Sequence, residues 1–152
     1  MEDILKSLRF LVISRKKRLL NKIQNILNNL GFNTECIGKP DEGLKKAMSG
    51  NFDVLLIDMT SKGFDWNRYL KKISEAEVSD YVVVIADEKN IKRALKSVNI
   101  ETCIYLNYPL DTVECQLVLF NISTSAVIKK EVLEKEKHLM HLEVFNEIAR
   151  KT

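Results

Sequence analysis

The chain has 152 residues, which is enough for one ordinary domain with an appendage but hardly for two independent hydrophobic cores. Hydrophobic residues make up 45% of it and charged residues 30%, a composition that excludes an intrinsically disordered chain. The net charge is only +3, and basic residues are interspersed with acids except at residues 15–18. We therefore expect no nucleic-acid partner, and this basic run is most simply a solvated helix start.

The cysteines and the amino terminus indicate the cellular compartment. Cys36, Cys103 and Cys115 are widely spaced and set in apolar surroundings, which favours buried thiols in a reducing environment over a disulfide framework or a zinc site. The first residues contain neither a basic leader nor an apolar segment long enough for export or for spanning a bilayer. We expect a cytoplasmic protein without membrane association.

Short apolar runs recur at regular intervals and predict β-strands. The first, third and fourth runs are almost continuously apolar and rich in Val, Ile and Leu, as strands covered by helices on both faces must be. These three should be central in the sheet. The predicted strands are residues 9–14, 33–37, 53–58, 81–86 and 102–106.

Amphipathic segments of helical period lie between these strands. Gly31 is placed to end the first helix in a left-handed cap, and Asp41 and Asp65 are placed to cap the second and third. Alternation of strand and helix predicts an α/β fold with a parallel sheet. The apolar stripes are Leu19, Leu20, Ile23, Ile26, Leu27 and Leu30; Leu44, Ala47 and Met48; Tyr69, Leu70 and Ile73; and Ile91, Ala94, Leu95 and Val98.

Functional side chains of such a sheet collect beyond the carboxyl ends of the strands, where the strand order reverses. Here the most conspicuous is Asp58, a single acid that ends the apolar third strand. The residues at this edge are Ser14, Arg15, Asp58, Ala86, Asp87, Asn107, Tyr108 and Pro109.

Several motifs together resemble the receiver domain of two-component response regulators. They are "LLIDMTSKGFDW" around the third strand, "NNLGFNTE" after the first helix, and "YLNYP", which is similar to the Tyr-Leu-x-Lys-Pro ending of the family's fifth strand. The resemblance covers about residues 8–122. It implies a flavodoxin-like sheet of five parallel strands in the order 2-1-3-4-5 with helices on both faces, and a receiver-like domain at residues 1–122.

The resemblance also implies roles for individual residues. In the family, the acid that ends the third strand accepts a phosphoryl group from a histidine kinase, and Asp58 matches it. Tyr105 matches an aromatic residue whose rotation reports the switch, and Pro109 matches a proline that commonly follows a cis peptide bond.

The other family positions are not matched, which predicts a degenerate pocket. Ser14 and Arg15 stand where two magnesium-binding acids are expected, Ala86 where a Ser or Thr is expected, and Tyr108 where a Lys is expected. A site with one carboxylate beside a guanidinium has little affinity for Mg²⁺, so we expect no metal or other cofactor. The chain is expected to be a signalling module and not an enzyme. The alternative is a receiver that is phosphorylated on Asp58 with Mg²⁺.

Two interpretations of Asp58 stay open at this stage. Arg15 or Lys16 could reach across to form a fixed ion pair in place of the metal and the phosphoryl group. Otherwise, Asp58 is a partly exposed acid left over in a site that has lost its use.

The carboxyl-terminal segment predicts a long helix. Helix-compatible sequence runs from near Asp111 to the end without Pro or Gly, so residues 123–152 form an extension, which is either a coiled coil or a linker to an output domain. Lys135 and Asn146 interrupt an approximate seven-residue repeat, which predicts a parallel coiled-coil homodimer; the alternative is a solvated helix on its own domain. His138 and His141 are best interpreted as surface residues. The apolar repeat positions are Ile128, Val132, Leu139, Leu142 and Ala149.

Overall fold

The computed structural model describes residues 7–79, 81–97 and 102–151, with side chains for 7–79, 81–92 and 103–140. One parallel sheet has the strand order β2-β1-β3-β4-β5, as expected for a flavodoxin-like receiver fold. The strands are β1 Arg9–Ile13, β2 Asn33–Ile37, β3 Val54–Asp58, β4 Tyr81–Ala86 and β5 Thr102–Asn107.

Helices cover both faces of the sheet, which confirms the predicted layering. Buried side chains of α1 and α5 belong to one hydrophobic core, and those of α2 and α3 belong to the other. The helices are α1 Lys17–Asn29, α2 Pro40–Ser49, α3 Trp66–Ala76, α4 Glu88–Ser97 and α5 Thr112–Lys151.

The central strands explain why the apolar runs are continuous. Every residue of β3 is buried, and its side chains alternate between the two cores: Leu56 faces α1 and α5, whereas Leu55 and Ile57 face α2 and α3. Gly43 of α2 lies so close to Ile13 that an added Cβ would meet the isoleucine Cδ1 at 2.7 Å. This close contact fixes the end of β1, and with it the residues that follow this strand.

Two of the three predicted helix boundaries are confirmed. Gly31 follows Leu30, the C-cap residue of α1, and has a φ of 84°, the left-handed conformation that glycine adopts without strain. The Asp65 carboxylate accepts a hydrogen bond from the Arg68 amide at 3.1 Å and caps α3. Asp41 is not the cap of α2, because the helix begins one residue earlier at Pro40, whose ring fixes φ in the helical range.

The stripe predicted for α2 also needs correction at one position, since Met48 is 63% exposed while Ala47 is buried. In α4, Ile91 packs against the core, and the predicted contributions of Ala94, Leu95 and Val98 lie outside the described side chains.

The cysteines are free, and only Cys115 is fully buried; Cys36 and Cys103 are half-buried.

The long helix at the carboxyl terminus is confirmed. α5 has 40 residues and passes the predicted boundary after residue 122 without a break. Its side facing the domain is buried as far as Val127, and Lys130 forms a 3.0 Å ion pair with Asp53 at the start of β3. The division into a domain and an extension stays a prediction.

In the described part of the chain, no helix combines the length and the apolarity needed to cross a membrane.

Candidate functional site

The strand order of the sheet reverses between β1 and β3, and the residues at the carboxyl ends of these two strands meet there. Ser14 comes directly after β1, and Asp58 is the last residue of β3. Because parallel strands end at the same edge, the two side chains converge, and Ser14 Oγ donates a hydrogen bond to Asp58 Oδ2 at 2.6 Å. Both residues are essentially inaccessible to solvent, with 0% and 1% exposure.

The other oxygen of Asp58 is also occupied. Asp58 Oδ1 accepts hydrogen bonds from the Thr60 amide at 2.8 Å and from Thr60 Oγ1 at 2.5 Å. A buried carboxylate is costly unless donors surround it, and short bonds to an ionised acceptor are among the strongest in proteins. Asp58 is therefore held in one orientation by its neighbours on two loops.

Ser14 joins this carboxylate to the start of α1. Its hydroxyl oxygen accepts a hydrogen bond from the Lys16 amide at 3.1 Å while its proton goes to Asp58. Lys16 is the N-cap residue of α1 and its own side chain makes no capping bond. Ser14 thus satisfies an amide that would otherwise lack a partner at the helix terminus.

The side chains of Arg15 and Lys16 contact aromatic rings and not Asp58, so the ion pair predicted between one of them and Asp58 does not form. The Arg15 guanidinium lies 5.8 Å from the centroid of the Phe64 ring, and Lys16 Nζ lies 4.5 Å from that of Tyr108. Across the described residues, the ion pairs include none to Asp58. Asp58 is not partly exposed either, because it is buried and bonded on both oxygens; that the site has lost its use stays a prediction.

The positions expected to bind phosphoryl oxygens offer no positive charge, and only Tyr108 carries a hydroxyl. Ala86 is fully buried in the core shared with α2 and α3, and its carbonyl accepts a hydrogen bond from the Tyr108 amide at 3.0 Å. Tyr108 is 43% exposed and its ring packs under Lys16. The neighbouring Asp87 is used as a cap, because it accepts a hydrogen bond from the Asn90 amide at 2.9 Å.

The two residues matched to the family's switch lie on β5 and the loop after it. Tyr105 is half-buried against the core of α2 and α3, and burial together with the neighbouring Cys103 thiol raises the pKa of its phenol well above the ordinary range. The peptide bond between Tyr108 and Pro109 is cis, as the resemblance implied. A switching role for Tyr105 stays a prediction.

The sequence reasoning missed Thr60, which supplies two of the three donors to Asp58. A usable pattern was present, since an Asp commonly accepts from the amide two residues later in the chain. It also missed the aromatic cluster beside the site, in which Phe64 and Trp66 lie 4.5 Å apart and Trp66 and Tyr69 lie 5.5 Å apart, measured between ring centroids. These contacts fix the β3–α3 loop that carries Thr60.

The histidines lie far along α5 and take no part in this arrangement. His138 is exposed, and the side chain of His141 is outside the described set. Wherever side chains are described, no three metal-binding residues of the His, Cys, Asp and Glu types come together.

A 2-1-3-4-5 sheet with a single acid at the end of its third strand, beside the reversal of strand order, defines a receiver-type fold. Solved structures agree. A Francisella response regulator receiver domain aligns with TM-score 0.67 and 20% identity over 78% of this chain and 98% of that one.

Two further receivers give the same result. A response regulator receiver domain from Clostridium thermocellum aligns with TM-score 0.66 and 19% identity over 83% of this chain and 98% of that chain. Chemotaxis protein CheY4 of Vibrio cholerae aligns with TM-score 0.64 and 16% identity over 76% and 98%. No protein-family model matches the sequence, and no curated protein matches it. At these identities the likeness establishes the receiver fold.

Proposed function

We propose that this chain is a degenerate receiver, which acts in two-component signalling through protein contacts and dimerisation and not through magnesium-dependent phosphorylation. The observation that carries the proposal is the condition of Asp58, which is buried and accepts hydrogen bonds on both oxygens from Ser14 and Thr60. A phosphodonor would have to reach a buried carboxylate whose two oxygens already accept hydrogen bonds before one of them could attack phosphorus in line.

The residues near Asp58 do not fit Mg²⁺. This ion prefers an octahedral shell of hard oxygen ligands and is usually bound through one or two carboxylates together with substrate phosphates. Asp58 is the only acid among the residues predicted to form the pocket, Ser14 donates its proton to it, and Arg15 adds a positive charge to the same loop. We expect no divalent cation to bind.

The Ser or Thr and the Lys that would bind the phosphoryl oxygens in the family are absent as well. Three anionic oxygens need cations or donors around them. Ala86 supplies only a methyl group, and Tyr108 supplies a neutral phenol whose ring is stacked with Lys16. A phosphorylated Asp58 would therefore find no hydroxyl at Ala86 and no positive charge on the side chain of Tyr108.

The partners that fit this role are a histidine kinase or another signalling protein, and a second copy of the chain bound through the carboxyl-terminal helix. No catalytic turnover follows from the geometry, so we do not expect an enzyme. We expect the protein to work in the cytoplasm, away from membranes, and this region to have no nucleic-acid partner.

A second candidate function is that of a phosphorylatable receiver, in which Asp58 accepts a phosphoryl group from a histidine kinase with Mg²⁺. It is favoured by the position of Asp58 at the carboxyl end of β3, where the strand order reverses. Both candidates predict the same fold, so only chemistry at Asp58 separates them.

The test is incubation of the chain with Mg²⁺ and either acetyl phosphate or beryllofluoride, followed by intact mass and amide NMR. The proposal predicts no mass increase and no shift of the amides of Asp58, Thr60 and Ala86. The Asp58→Asn variant is the matched control for non-specific effects, and a functional receiver treated in parallel shows that the reagents are active. An adduct seen in the parent chain and absent from Asp58→Asn would establish the second candidate instead.

A further inference from the structure

The outer face of α5 carries large apolar side chains that the domain leaves uncovered. On the opposite side, Cys115, Leu119 and Ile122 are buried in the core. Leu133 and Met140 are exposed on other sides of the helix. The uncovered residues that share one side are between 47% and 63% exposed, and we call them the α5 stripe: Val113, Leu117, Phe120, Ile128, Val132 and Leu139.

The stripe has the spacing of a helix-pairing surface. Its members follow one another in steps of three or four residues if Thr124 and Lys135 fill the two gaps, so all lie on one side of a helix that turns about 100° per residue. Thr124 does not interrupt the apolar character, because its hydroxyl donates to the Phe120 carbonyl at 3.0 Å and is satisfied within the helix. The stripe begins on the domain and continues into the extension.

We infer that the α5 stripe is a self-association surface, so that the dimer interface begins at Val113 on the receiver-like domain and is not confined to the extension. This inference rests on the proposed dimerisation and names the surface that carries it. In a parallel pair, the domain segments of the two helices meet each other, and the two domains are held side by side.

A second copy is the occupant that matches the length of the stripe. From Val113 to Leu139 it measures about 39 Å at a rise of 1.5 Å per residue. Among the other described helices the longest is α1, with 13 residues, so within the described chain only the α5 of another copy is as long as the surface to be covered. A twofold pair also brings each apolar side chain against an equivalent one.

The available area is sufficient for a stable dimer. Six half-exposed apolar side chains contribute on the order of 100 Å² each, or about 1,200 Å² for two copies. Stable specific interfaces begin at about this size. The extension from Ile128 to Leu139 holds half of these residues, so it would supply only about half the area without the domain segment.

The residue spacing of the α5 stripe also predicts how the two α5 helices of the dimer supercoil. Between Phe120 and Val132 the steps are four, four and four residues, which departs from the alternation of three and four in a regular heptad. An insertion of this kind locally unwinds a coiled coil. The helices should therefore run nearly straight where they leave the domain and supercoil only farther along.

Sedimentation equilibrium of the full chain tests the inference. Phe120→Glu on the domain and Leu139→Glu on the extension should each weaken the dimer by at least about tenfold in Kd. Met140→Glu is the matched control, because Met140 is adjacent to Leu139 and 66% exposed but lies about 100° farther around the helix. Met48→Glu on α2, 63% exposed, is the control for the domain. Both controls should change Kd by less than about threefold.

The outcomes separate the inference from the proposal on which it rests. If Leu139→Glu abolishes the dimer while Phe120→Glu leaves Kd unchanged, dimerisation holds but the domain segment is not part of the interface. A parent chain that stays monomeric at about 100 µM, which is about 100-fold above a micromolar Kd, overturns both. Thermal melts by circular dichroism, recorded at a concentration at which the parent chain is monomeric, should be similar for all variants, because each replaced side chain is about half exposed or more.

Discussion

The hydrogen bond from Ser14 to Asp58 gives the sharpest stability prediction, and Ser14→Ala is the substitution that removes it. The variant deletes a buried 2.6 Å donor to a carboxylate, and bonds to charged groups are worth about 1.5–3 kcal/mol each. It also deletes the acceptor of the Lys16 amide at the start of α1, a capping interaction worth about 1 kcal/mol. We expect the free energy of unfolding to fall by about 2.5–4 kcal/mol.

Ser123→Ala provides a matched control. Ser123 is also fully buried and its hydroxyl also donates at 2.6 Å, but to the Leu119 carbonyl, a neutral acceptor within α5. That carbonyl keeps its backbone hydrogen bond after the change, and Ala is the better helix former, so the loss should stay below about 1 kcal/mol.

The measurement is urea unfolding at pH 7 followed by far-ultraviolet circular dichroism, with linear extrapolation to water. The two variants must show similar slopes for their free energies to be compared. If Ser14→Ala and Ser123→Ala lost equal stability, the charge of Asp58 would contribute nothing to the bond, and the description of Asp58 as a carboxylate held by its donors would be wrong.

Three further predictions concern the same architecture. Asp58→Ala removes the acceptor of all three hydrogen bonds and should cost about 3–5 kcal/mol in the same urea assay, whereas Asp58→Asn keeps the shape but loses the charge and one acceptor oxygen and should cost about 1.5–3 kcal/mol. Gly43→Ala forces a Cβ to within 2.7 Å of Ile13 and should lower stability by about 1–3 kcal/mol in thermal melts, while Gly38→Ala, whose nearest atom would be 3.8 Å away, should not. Burial raises the pKa of the Cys115 thiol from 9.0 to about 11. The protonated form is favoured only in the folded state, so stability should fall as the pH rises from about 9 to about 11, and urea unfolding should show a shallower fall for Cys115→Ala.

The strands and the location of Asp58 could be predicted because they depend on local composition and on topology. A strand covered on both faces must be almost continuously apolar, and β1, β3 and β4 are. Once the sheet is parallel, the residue that ends each strand is placed at the same edge whatever its side chain. Predicting the meeting of Ser14 and Asp58 therefore required no knowledge of packing.

The directions of the cations could not be predicted in this way. Arg15 and Lys16 have long side chains with many rotamers, and each packs on an aromatic ring from another loop, Phe64 and Tyr108. The positions of those rings depend on the packing of the β3–α3 and β5–α5 loops, which no local pattern in the sequence specifies. The predicted cap of α2 at Asp41 is wrong for a simpler reason, because Pro40, whose ring fixes φ in the helical range, is the first helical residue.

The site at Asp58 and the start of α5 are connected by two direct contacts. Lys16, whose amide is bonded to Ser14, stacks on Tyr108, and Lys22 of α1 donates to the Leu110 carbonyl at 2.8 Å just before α5 begins. Any rearrangement of the site that moved α5 would have to break one of these contacts or carry α1 with it. Because Asp58 is already satisfied by Ser14 and Thr60, nothing in the site favours breaking them. The proposed dimer should therefore form with the same affinity in the presence and absence of phosphodonors, with the α5 stripe held in one orientation.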